Sequence, residues 1–581
     1  MATNTNSGVA PDTRGSNFFR LDRTLQAMLP VYVGQELADF LRPHLDLLGQ
    51  RSANDLDEHA MLANAHPPVL HPRDRFGRDR EWIEYHPSYK VLEKAAFDEF
   101  QIHAMSLRAG ILGLDRPYPL VAKHAFTYLF NQAEFGLGCP INVTDSSAHL
   151  IQRFGSEKVK KLFLPRMLYS TGDEHWQGAQ FITEKEGGSD VGSISMQARK
   201  RDGNWYLYGE KWFCSNADAE VIVLLARPES ATTGTRGLGL FVVPRELESG
   251  ERNEYRIIRL KDKLGTRSMA TGELVFDGAL AYQLGELDQG FRHMAEMINA
   301  SRLSNGVKSA ALMRRAAHDA QIVARERMVF GRKLVDQPLA KRQLIKLSLP
   351  AEQALTMWMF VASILDNAND ETNRSRIKYE LCARLLTPLL KFRATRDARR
   401  VTQDAMEFRG GCGYVEDFVN PRLVRDALLG SIWEGTSNII AIDVVRRAIR
   451  RQDCLSELTE LLEGKIDELS AVQDSYRNTL SSWLDKVGRF ACETAEREDE
   501  SLYRQVASAL YHICTAIVMA WEAQVSGQGE RLIWSRMVVD HRLSTYSPAS
   551  SPHSSSSLVS NLFRGHPLSV EEANIALSKA F

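Results

Sequence analysis

Six short runs of β-branched and aromatic residues in the middle of the chain constrain its fold more than any other feature. They lie between about residues 176 and 287, and turn residues separate each run from the next. Helical spacing of apolar residues precedes them from about residue 20 and follows them to about residue 450. Because strands and helices do not alternate, and no G-x-G-x-x-G motif occurs, a Rossmann sheet is disfavoured. We therefore predict an antiparallel barrel or sandwich between two helical regions. The runs are SISMQARK, NWYLYGEKWF, EVIVLLAR, LGLFVVPRE, EYRIIRL and GELVFDGA.

Composition indicates a globular chain with several cores. At about 100–200 residues per domain, 581 residues predict three to five domains. The net charge of -1 gives no bulk reason to expect a polyanionic partner. The seven cysteines include no C-x-x-C pair, which favours a reducing compartment. The longest apolar stretch, 506–521, is shorter than the ~20 residues that cross a bilayer, so no membrane span is expected.

The N-terminus lacks the apolar core of a signal peptide, although two arginines leave a weak organellar presequence open. We expect a cytoplasmic protein, with mitochondria and peroxisomes as alternatives.

Prolines and Gly77 predict a long ordered loop with turns at about 63–89. Helical periodicity returns over 451–545, and a Ser/Pro-rich segment predicted to be flexible follows at 547–560.

The first motif with chemical potential is QFITEKEGGSD, at the entrance to the strand-rich region. Thr183, Ser189 and the two glycines between them offer hydroxyl and backbone N–H groups for close approach to a ligand. A surface turn is the alternative interpretation.

The second motif is GGCG at 410–413, within a helical region. Glycines weaken helices, so three of them indicate a break or a close contact, such as a helix end at a cofactor's phosphates. A plain helix–helix turn is the commoner cause of such a cluster.

The third motif is SIWEGTSN at 431–438, where Glu434 follows Trp433 between two helical segments. A carboxylate beside an aromatic side chain can have a raised pKa and act as a base. An exposed loop acid is the alternative.

Together these motifs resemble the acyl-CoA dehydrogenase superfamily, in the family's order along the chain. Four further segments add to the resemblance, which covers about residues 20–450. They are GEKWFCSN (209–216), KLGTRS (263–268), GELVF (272–276) and RMVFG (327–331).

The AidB branch, the alkylation-response flavoproteins, shows the closest resemblance. The segment from Leu62 to Pro87, the run CPINVT (139–144), TEKEGGSD and SIWEG all look like that branch, as does a helical extension beyond the core. The implied fold is mainly helical with a central β-barrel. Its predicted domains are an N-terminal α-domain with an AidB-like leading segment (1–175), a middle β-barrel domain (176–287), a C-terminal four-helix domain (288–450) and the helical extension (451–581).

The resemblance implies FAD as the cofactor and α,β-dehydrogenation of an acyl-CoA as the reaction. A base takes the Cα proton while the Cβ hydride goes to flavin N5, and the electrons pass to an electron-transfer flavoprotein. Glu434 matches the base, and Ser189 and Arg302 match substrate-side positions. No metal is expected, and a homotetramer or dimer is implied because two subunits complete each flavin site. The positions that match cofactor contacts are Gln180, Thr183, Ser189, Phe213, Ser215, Arg327, Phe330, Gly411, Trp433, Thr436 and Asn438.

Three residues depart from the family pattern near the expected acyl-CoA site. Trp433 replaces a smaller aromatic residue, so its indole is expected to narrow the pocket. Asn299 replaces an acid three residues before Arg302, and Glu407 replaces a common glutamine.

An alternative function is an AidB-like flavoprotein that binds DNA or long acyl chains and has little turnover. In its favour, Arg446, Arg447, Arg450 and Arg451 are predicted to form two i,i+4 pairs on one helix. Against it, residues 451–581 contain 12 Lys and Arg against 18 Asp and Glu, including the acidic run 496–500. An arginine stripe more often pairs with acids at an interface, so the enzyme is favoured over DNA binding.

Overall fold

The computed structural model describes residues 9–544, 562 and 567–578. Contacts divide the chain into two compact units. The first unit contains Met1–Asn54, Pro119–Gln132 and Asn305–Phe581, and the second contains Asp55–Tyr118 and Ala133–Ser304.

Helices account for most of the described residues. The α-helices are α1 (Phe18–Leu21), α2 (Arg23–Val33), α3 (Gln35–Ser52), α4 (Asp55–Ala65), α5 (Pro87–Lys94), α6 (Leu120–Ala133), α7 (Gly138–Phe154), α8 (Glu157–Leu168), α9 (Gly290–Glu326), α10 (Pro338–Asn369), α11 (Arg376–Arg409), α12 (Asn420–Gly430), α13 (Ser437–Ile442), α14 (Cys454–Asp467), α15 (Asp474–Arg497), α16 (Tyr503–Ser526), α17 (Gly529–Val538) and α18 (Val570–Ser578). The π-helical segments are Ala95–Glu99, Asp443–Ile449 and Val539–Leu543. The strands are β1 (Val69–Arg73), β2 (Asp79–Glu84), β3 (Gly178–Phe181), β4 (Gln197–Arg201), β5 (Asn204–Ser215), β6 (Val221–Pro228), β7 (Gly239–Pro244), β8 (Tyr255–Leu260), β9 (Thr271–Leu284), β10 (Met328–Val329) and β11 (Arg332–Lys333).

The second unit is built around a closed sheet. Strands pair in the order β3-β6-β4-β5-β9-β7, β7 pairs back with β6, and β8 pairs with β9. The predicted class, mainly helical with a central β-barrel, is therefore confirmed. The expectation of a wholly antiparallel sheet is wrong, because β6 pairs in parallel with both β3 and β4. Alternation of apolar residues predicts which face a strand buries, but not the direction of its partner.

The segment at 63–89 differs from its prediction, since it contains a β-hairpin instead of a long loop. Strands β1 and β2 pair antiparallel, with a register shift between His71 and Arg73, on either side of Pro72. Proline has no N–H to donate, so it is tolerated at such an irregularity of an edge strand. The turn closes because the Asp74 Oδ1 accepts hydrogen bonds from the backbone N–H of Phe76 and Arg78, at 2.9 and 3.0 Å.

The first unit is a helical bundle, and several of its helices enclose α16. It packs against α2, α10, α11, α14, α15 and α17. The segment Glu500–Ser526 is long and apolar enough to cross a membrane by composition, but 83% of its most apolar window is buried inside the protein. The helical prediction for 451–545 is confirmed by α14–α17, whereas the flexible segment predicted at 547–560 lies outside the described residues.

A buried charge network joins the helices of this unit. The Arg314 guanidinium donates to Glu352 at 2.6 Å and lies 3.1 Å from Asp22, the residue that caps α2. Arg531 donates to the other oxygen of Glu352 at 2.6 Å and to Glu522 at 2.6 Å. All these side chains are buried. Burial acts to raise the pKa of Glu352, but the two guanidinium groups outweigh it and hold that pKa below its ordinary value. The network therefore ties α2, α9, α10, α16 and α17 together.

We predict that Arg531→Met lowers the free energy of unfolding by about 3–5 kcal/mol, because it leaves Glu522 without its buried guanidinium partner. Urea unfolding measures the loss. The double variant Arg531→Met/Glu522→Gln should recover part of it, since no orphan carboxylate remains. The control Arg489→Met breaks an exposed pair with Asp485 and should cost less than about 1 kcal/mol. Equal losses for Arg531→Met and Arg489→Met would contradict a structural role for the network.

Candidate functional site

The turn between α12 and α13 carries the acid that the sequence singles out. Glu434 has φ 54° and the following Gly435 has φ 96°, so the chain is left-handed at two successive residues. This conformation costs a non-glycine residue about 1–2 kcal/mol. Strained positions of this kind cluster at functional sites, where the surrounding structure enforces them. The Glu434 side chain is half-buried.

Two buried lysines from neighbouring helices hold this turn. The Lys391 ammonium on α11 donates to the backbone carbonyl of Gly435. The Lys308 ammonium on α9 lies 4.5 Å from the centroid of the Trp433 ring, within cation–π range. Their exposed fractions are 1% and 3%. The backbone of the turn is therefore held by one buried lysine and its tryptophan by another.

The remaining predicted residues of this segment lie on the same turn. Trp433 is half-buried, while Thr436 and Asn438 are exposed at the start of α13. The Asn305 amide donates to the carbonyl of Gly430 at 3.0 Å, which anchors the end of α12. The structure therefore gathers Trp433, Glu434, Thr436 and Asn438 around one rigid corner.

In the second unit, a buried ion pair links two of the recognised motifs. The Lys211 ammonium, from GEKWFCSN, donates to Glu184, from TEKEGGSD, at 2.8 Å. Glu184 also accepts from the N–H and hydroxyl groups of Ser195, both at 2.7 Å. Burial acts to raise the pKa of Glu184, but Lys211 and Ser195 hold it below its ordinary value. This pair fixes the loop that bears Thr183 and Ser189 to strand β5.

A β-bulge presents the predicted aromatic residue at the end of β5. The β5–β9 register shifts between Lys211 and Cys214, which places an extra residue on β5. Phe213 is consequently 54% exposed, and the Lys261 ammonium lies 4.6 Å from its ring centroid. The Thr183 carbonyl accepts from the N–H of Trp212 at 2.8 Å, so Thr183 lies beside the bulge.

The other predicted residues of the second unit lie on β5, on β3, on α9 and on the loop after β3. Ser215 lies just beyond the bulge, with its hydroxyl 3.4 Å from that of Thr271. Gln180 lies on β3, and within the described ranges its buried Oε1 has no hydrogen-bond partner. Ser189 is exposed, and Arg302 is buried on α9, donating to Asn299 at 3.5 Å.

A third group of predicted residues surrounds the β10–β11 hairpin of the first unit. Phe330 and Gly331 form its two-residue turn with φ 51° and 77°, and the Phe330 side chain is 95% exposed. Arg327 donates to the carbonyl of Arg409 at 3.3 Å, next to the GGCG motif. Gly411 faces open space, since a Cβ placed there would contact nothing within 4 Å. Arg327, Phe330 and Gly411 therefore come together at an exposed surface.

The arginine stripe at 446–451 is largely neutralised. Arg446 pairs with Glu500 and Arg450 pairs with Glu498, both within the acidic run of the sequence. Pairing with acids, the interpretation favoured for this stripe, is confirmed. Arg446 and Arg450, one of the two i,i+4 pairs, both contact acids of the run 496–500, and the segment Asp443–Ile449 that carries Arg446 is π-helical.

Sequence reasoning missed Lys308, Lys391 and the Glu184–Lys211 pair. Glu184 and Lys211 lie inside the motifs TEKEGGSD and GEKWFCSN, so the sequence offered both residues as candidates for the site. Nothing in the sequence distinguishes Lys308 or Lys391 from the exposed lysines of other helices. Among the residues that the structure describes, no group of three His, Cys, Asp or Glu residues could hold a metal ion.

Comparisons with known proteins agree with these motifs. Family models match residues 9–174 (adaptive response protein AidB, N-terminal domain), 179–279 (acyl-CoA dehydrogenase, middle domain) and 288–449 (acyl-CoA dehydrogenase, C-terminal domain). AidB of Escherichia coli strain K12 is 32% identical over 87% of this chain and 88% of that protein. The solved apo form of Bd2924 is 30% identical, with a TM-score of 0.79, over 88% of this chain and 99% of that chain. Caenorhabditis elegans ACDH-11 in complex with C11-CoA is 24% identical, with a TM-score of 0.84, over 94% and 95% of the two chains.

The fold and the matched models place the chain in the acyl-CoA dehydrogenase superfamily, and within it the chain belongs to the AidB branch.

We predict that Glu434→Gly raises the free energy of unfolding by about 0.5–1 kcal/mol, because glycine adopts the left-handed conformation without strain. Urea unfolding of Glu434→Gln provides the control, since it removes the charge and keeps the strain. A Glu434→Gly variant no more stable than Glu434→Gln would show that the turn stores no strain at this residue.

Proposed function

We propose that this protein is an FAD-dependent dehydrogenase that oxidises an acyl-CoA thioester between its α- and β-carbons, with Glu434 as the base. One observation carries the proposal: a carboxylate occupies a left-handed position, fixed by the buried Lys391 and beside Trp433. Lys391 fixes the backbone of the turn and Lys308 fixes the neighbouring indole, so the surrounding helices set the position of this carboxylate.

Within each unit taken by itself, the predicted residues suit contacts to FAD as the cofactor. Phe213 is exposed by a bulge, Gln180 has an orphaned buried oxygen, and Arg327 and Phe330 stand on an exposed hairpin. FAD, when bound, would accept the hydride from the substrate's β-carbon. The residues that would hold it are Gln180, Thr183, Ser189, Phe213, Ser215, Arg327, Phe330, Gly411, Trp433, Thr436 and Asn438.

Glu434 would remove the proton from the substrate's α-carbon. Lys391 would hold the backbone of the turn and Lys308 the Trp433 indole, so that the Glu434 carboxylate keeps a fixed position for proton transfer. Trp433 would limit which acyl chains reach the base, and its indole is held in place by Lys308. Ser189 and Arg302 would contact the thioester substrate.

The acyl-CoA class is supported by the structural neighbour ACDH-11, which was solved with C11-CoA. An electron-transfer flavoprotein is the proposed electron acceptor. A homotetramer is proposed because Phe330 and Tyr414, 95% and 82% exposed, are large aromatic side chains of the kind that subunit interfaces cover.

The second candidate is a binding protein, supported by the relationship to AidB. Its DNA-binding form requires a basic surface on or near the extension. The ion pairs of Arg446 and Arg450 with Glu500 and Glu498 remove that surface from the stripe at 446–451. The dehydrogenase is therefore the better supported function.

We predict that Glu434→Gln slows flavin reduction by acyl-CoA about 100- to 10,000-fold, the usual loss on removing a general base. Stopped-flow bleaching under anaerobic conditions measures the rate, with FAD content and tetramer unchanged. Glu463→Gln, an exposed acid on α14, is the matched control and should react like wild type. Unchanged reduction in Glu434→Gln would refute the assignment of the base.

Trp433→Tyr should widen the pocket and favour longer or straighter acyl chains.

We also predict that wild-type protein purifies with about one FAD per chain and that Arg327→Ala loses it. An arginine–phosphate contact is charge-assisted and planar, and alanine cannot replace it. Absorbance of the purified protein and reconstitution with FAD measure the content. Arg332→Ala, exposed on the same hairpin, should keep its FAD. Colourless wild-type protein that does not take up FAD would overturn the cofactor assignment.

A further inference from the structure

A cavity in the first unit contains none of the residues assigned to FAD or to the acyl-CoA. Its volume is about 610 Å³, within the roughly 300–1,000 Å³ that is typical of small-molecule sites. Helices α2, α10, α11, α14 and α16 line it, and all its lining residues belong to the first unit. We call it the α14 cavity, after the helix that supplies most of its charged residues.

Four aromatic side chains, which we call the aromatic wall, line the α14 cavity. They are Tyr32, Phe360, Tyr379 and Trp521. The rings of Tyr32 and Trp521 meet edge to face, with centroids 5.9 Å apart. The Tyr32 hydroxyl donates to the buried Glu522 at 2.8 Å, and the Trp521 indole N–H donates to Glu468 at 2.5 Å. These contacts fix both rings in the absence of a ligand.

A lysine of the protein already contacts the aromatic wall. The Lys465 ammonium lies 3.7 Å from the centroid of the Trp521 ring and 3.4 Å from a Glu468 oxygen. An aromatic face attracts a cation, and a neighbouring carboxylate adds to that attraction. The contact indicates that this part of the cavity favours positive charge.

Negative charge exceeds positive charge in the α14 cavity. Lys378 pairs with Glu460 at 2.7 Å, and Lys465 pairs with Glu468. Two further acids line the cavity, Glu463 and Asp467. Neither of their carboxylates has a hydrogen-bond or ion-pair partner among the residues that the structure describes.

Glu463 and Asp467 are placed where a cation would relieve an unfavourable arrangement. They lie four residues apart on α14, so their side chains are neighbours on one helix face, and like charges at this spacing repel each other. Asp467 is also the last residue of α14, where the helix dipole disfavours negative charge. A ligand that carries positive charge would offset both effects.

We propose that the α14 cavity binds a short aliphatic diamine, with one ammonium group at Glu463, the other at Asp467 and the methylene groups against the aromatic wall. Acids outnumber bases in the cavity, so an anion is repelled. A neutral ligand would leave both carboxylates uncompensated. A hydrated metal ion takes oxygen ligands and gains nothing from aromatic rings, whereas an alkylammonium ion gains from both groups.

Calorimetry of the purified full-length protein tests this proposal, with 1,4-diaminobutane as the probe. Wild type should bind it saturably, and Glu463→Gln/Asp467→Asn should weaken binding about 100-fold, because two charge-assisted contacts are lost. Both residues are exposed, so the double variant should fold, and without ligand it should melt no lower than wild type. The matched control Asp485→Asn/Glu496→Gln removes two exposed acids from α15 and should bind like wild type.

A second variant tests the contribution of the aromatic wall. Lys465→Met removes the ammonium that lies over Trp521, so the indole face and Glu468 become available to the ligand. We expect this variant to bind 1,4-diaminobutane about tenfold more tightly than wild type. The uncharged analogue 1,4-butanediol should bind neither protein.

Four results would overturn the proposal. The first is the absence of saturable 1,4-diaminobutane binding by wild type. The second is a double variant that binds the diamine as wild type does, or that melts lower without it, which would make the two carboxylates structural. The third is a Lys465→Met variant that binds no more tightly than wild type. The fourth is 1,4-butanediol, Mg²⁺ or an oligolysine peptide that binds at Glu463 and Asp467 as tightly as the diamine does.

Discussion

A single buried carboxylate, that of Glu352, accepts hydrogen bonds from two arginines that are more than 200 residues apart in sequence. Arg314 also contacts Asp22, which caps α2, and Arg531 on α17 also contacts Glu522 on α16. Removing either guanidinium partner would leave this buried carboxylate with less compensating charge, which strongly destabilises a folded protein. The C-terminal helices are therefore part of the same core as α9 and α10. This explains why the extension belongs to the fold of the unit and is no separate appendage.

That core sets the geometry of the proposed catalytic turn. Lys308 and Lys391 lie on α9 and α11, two long helices whose packing fixes where the buried ammonium groups stand. These groups hold Trp433 and the carbonyl of Gly435, and the backbone conformation of Glu434 follows from that. The packing of α9 and α11 therefore determines where the Glu434 carboxylate lies. The ion pair of Glu184 with Lys211 fixes the loop that bears Thr183 and Ser189 in the second unit.

The sequence predicted the helix–strand–helix order, the family and the motifs, because these depend on local periodicity and on short segments. It failed where a structure depends on partners distant in sequence. Pro72 and its neighbouring prolines favoured a loop over the β1–β2 hairpin that the structure shows. The composition of β6 does not distinguish parallel from antiparallel pairing. Lys308 and Lys391 resemble ordinary helix lysines until the turn packs against them. The assigned roles of Glu434 and of the FAD-contacting residues, and the domain boundaries drawn from the sequence, remain predictions.

We propose that the carboxylate on the turn between α12 and α13 serves a redox reaction with an acyl-CoA. Anaerobic addition of a panel of acyl-CoA thioesters to the purified, FAD-loaded wild-type protein tests it directly. At least one chain length should bleach the yellow flavin absorbance fully, and oxygen or an electron-transfer flavoprotein should restore it. A flavin that keeps its absorbance with every acyl-CoA, yet is reduced by dithionite, would contradict the account and indicate a structural flavin.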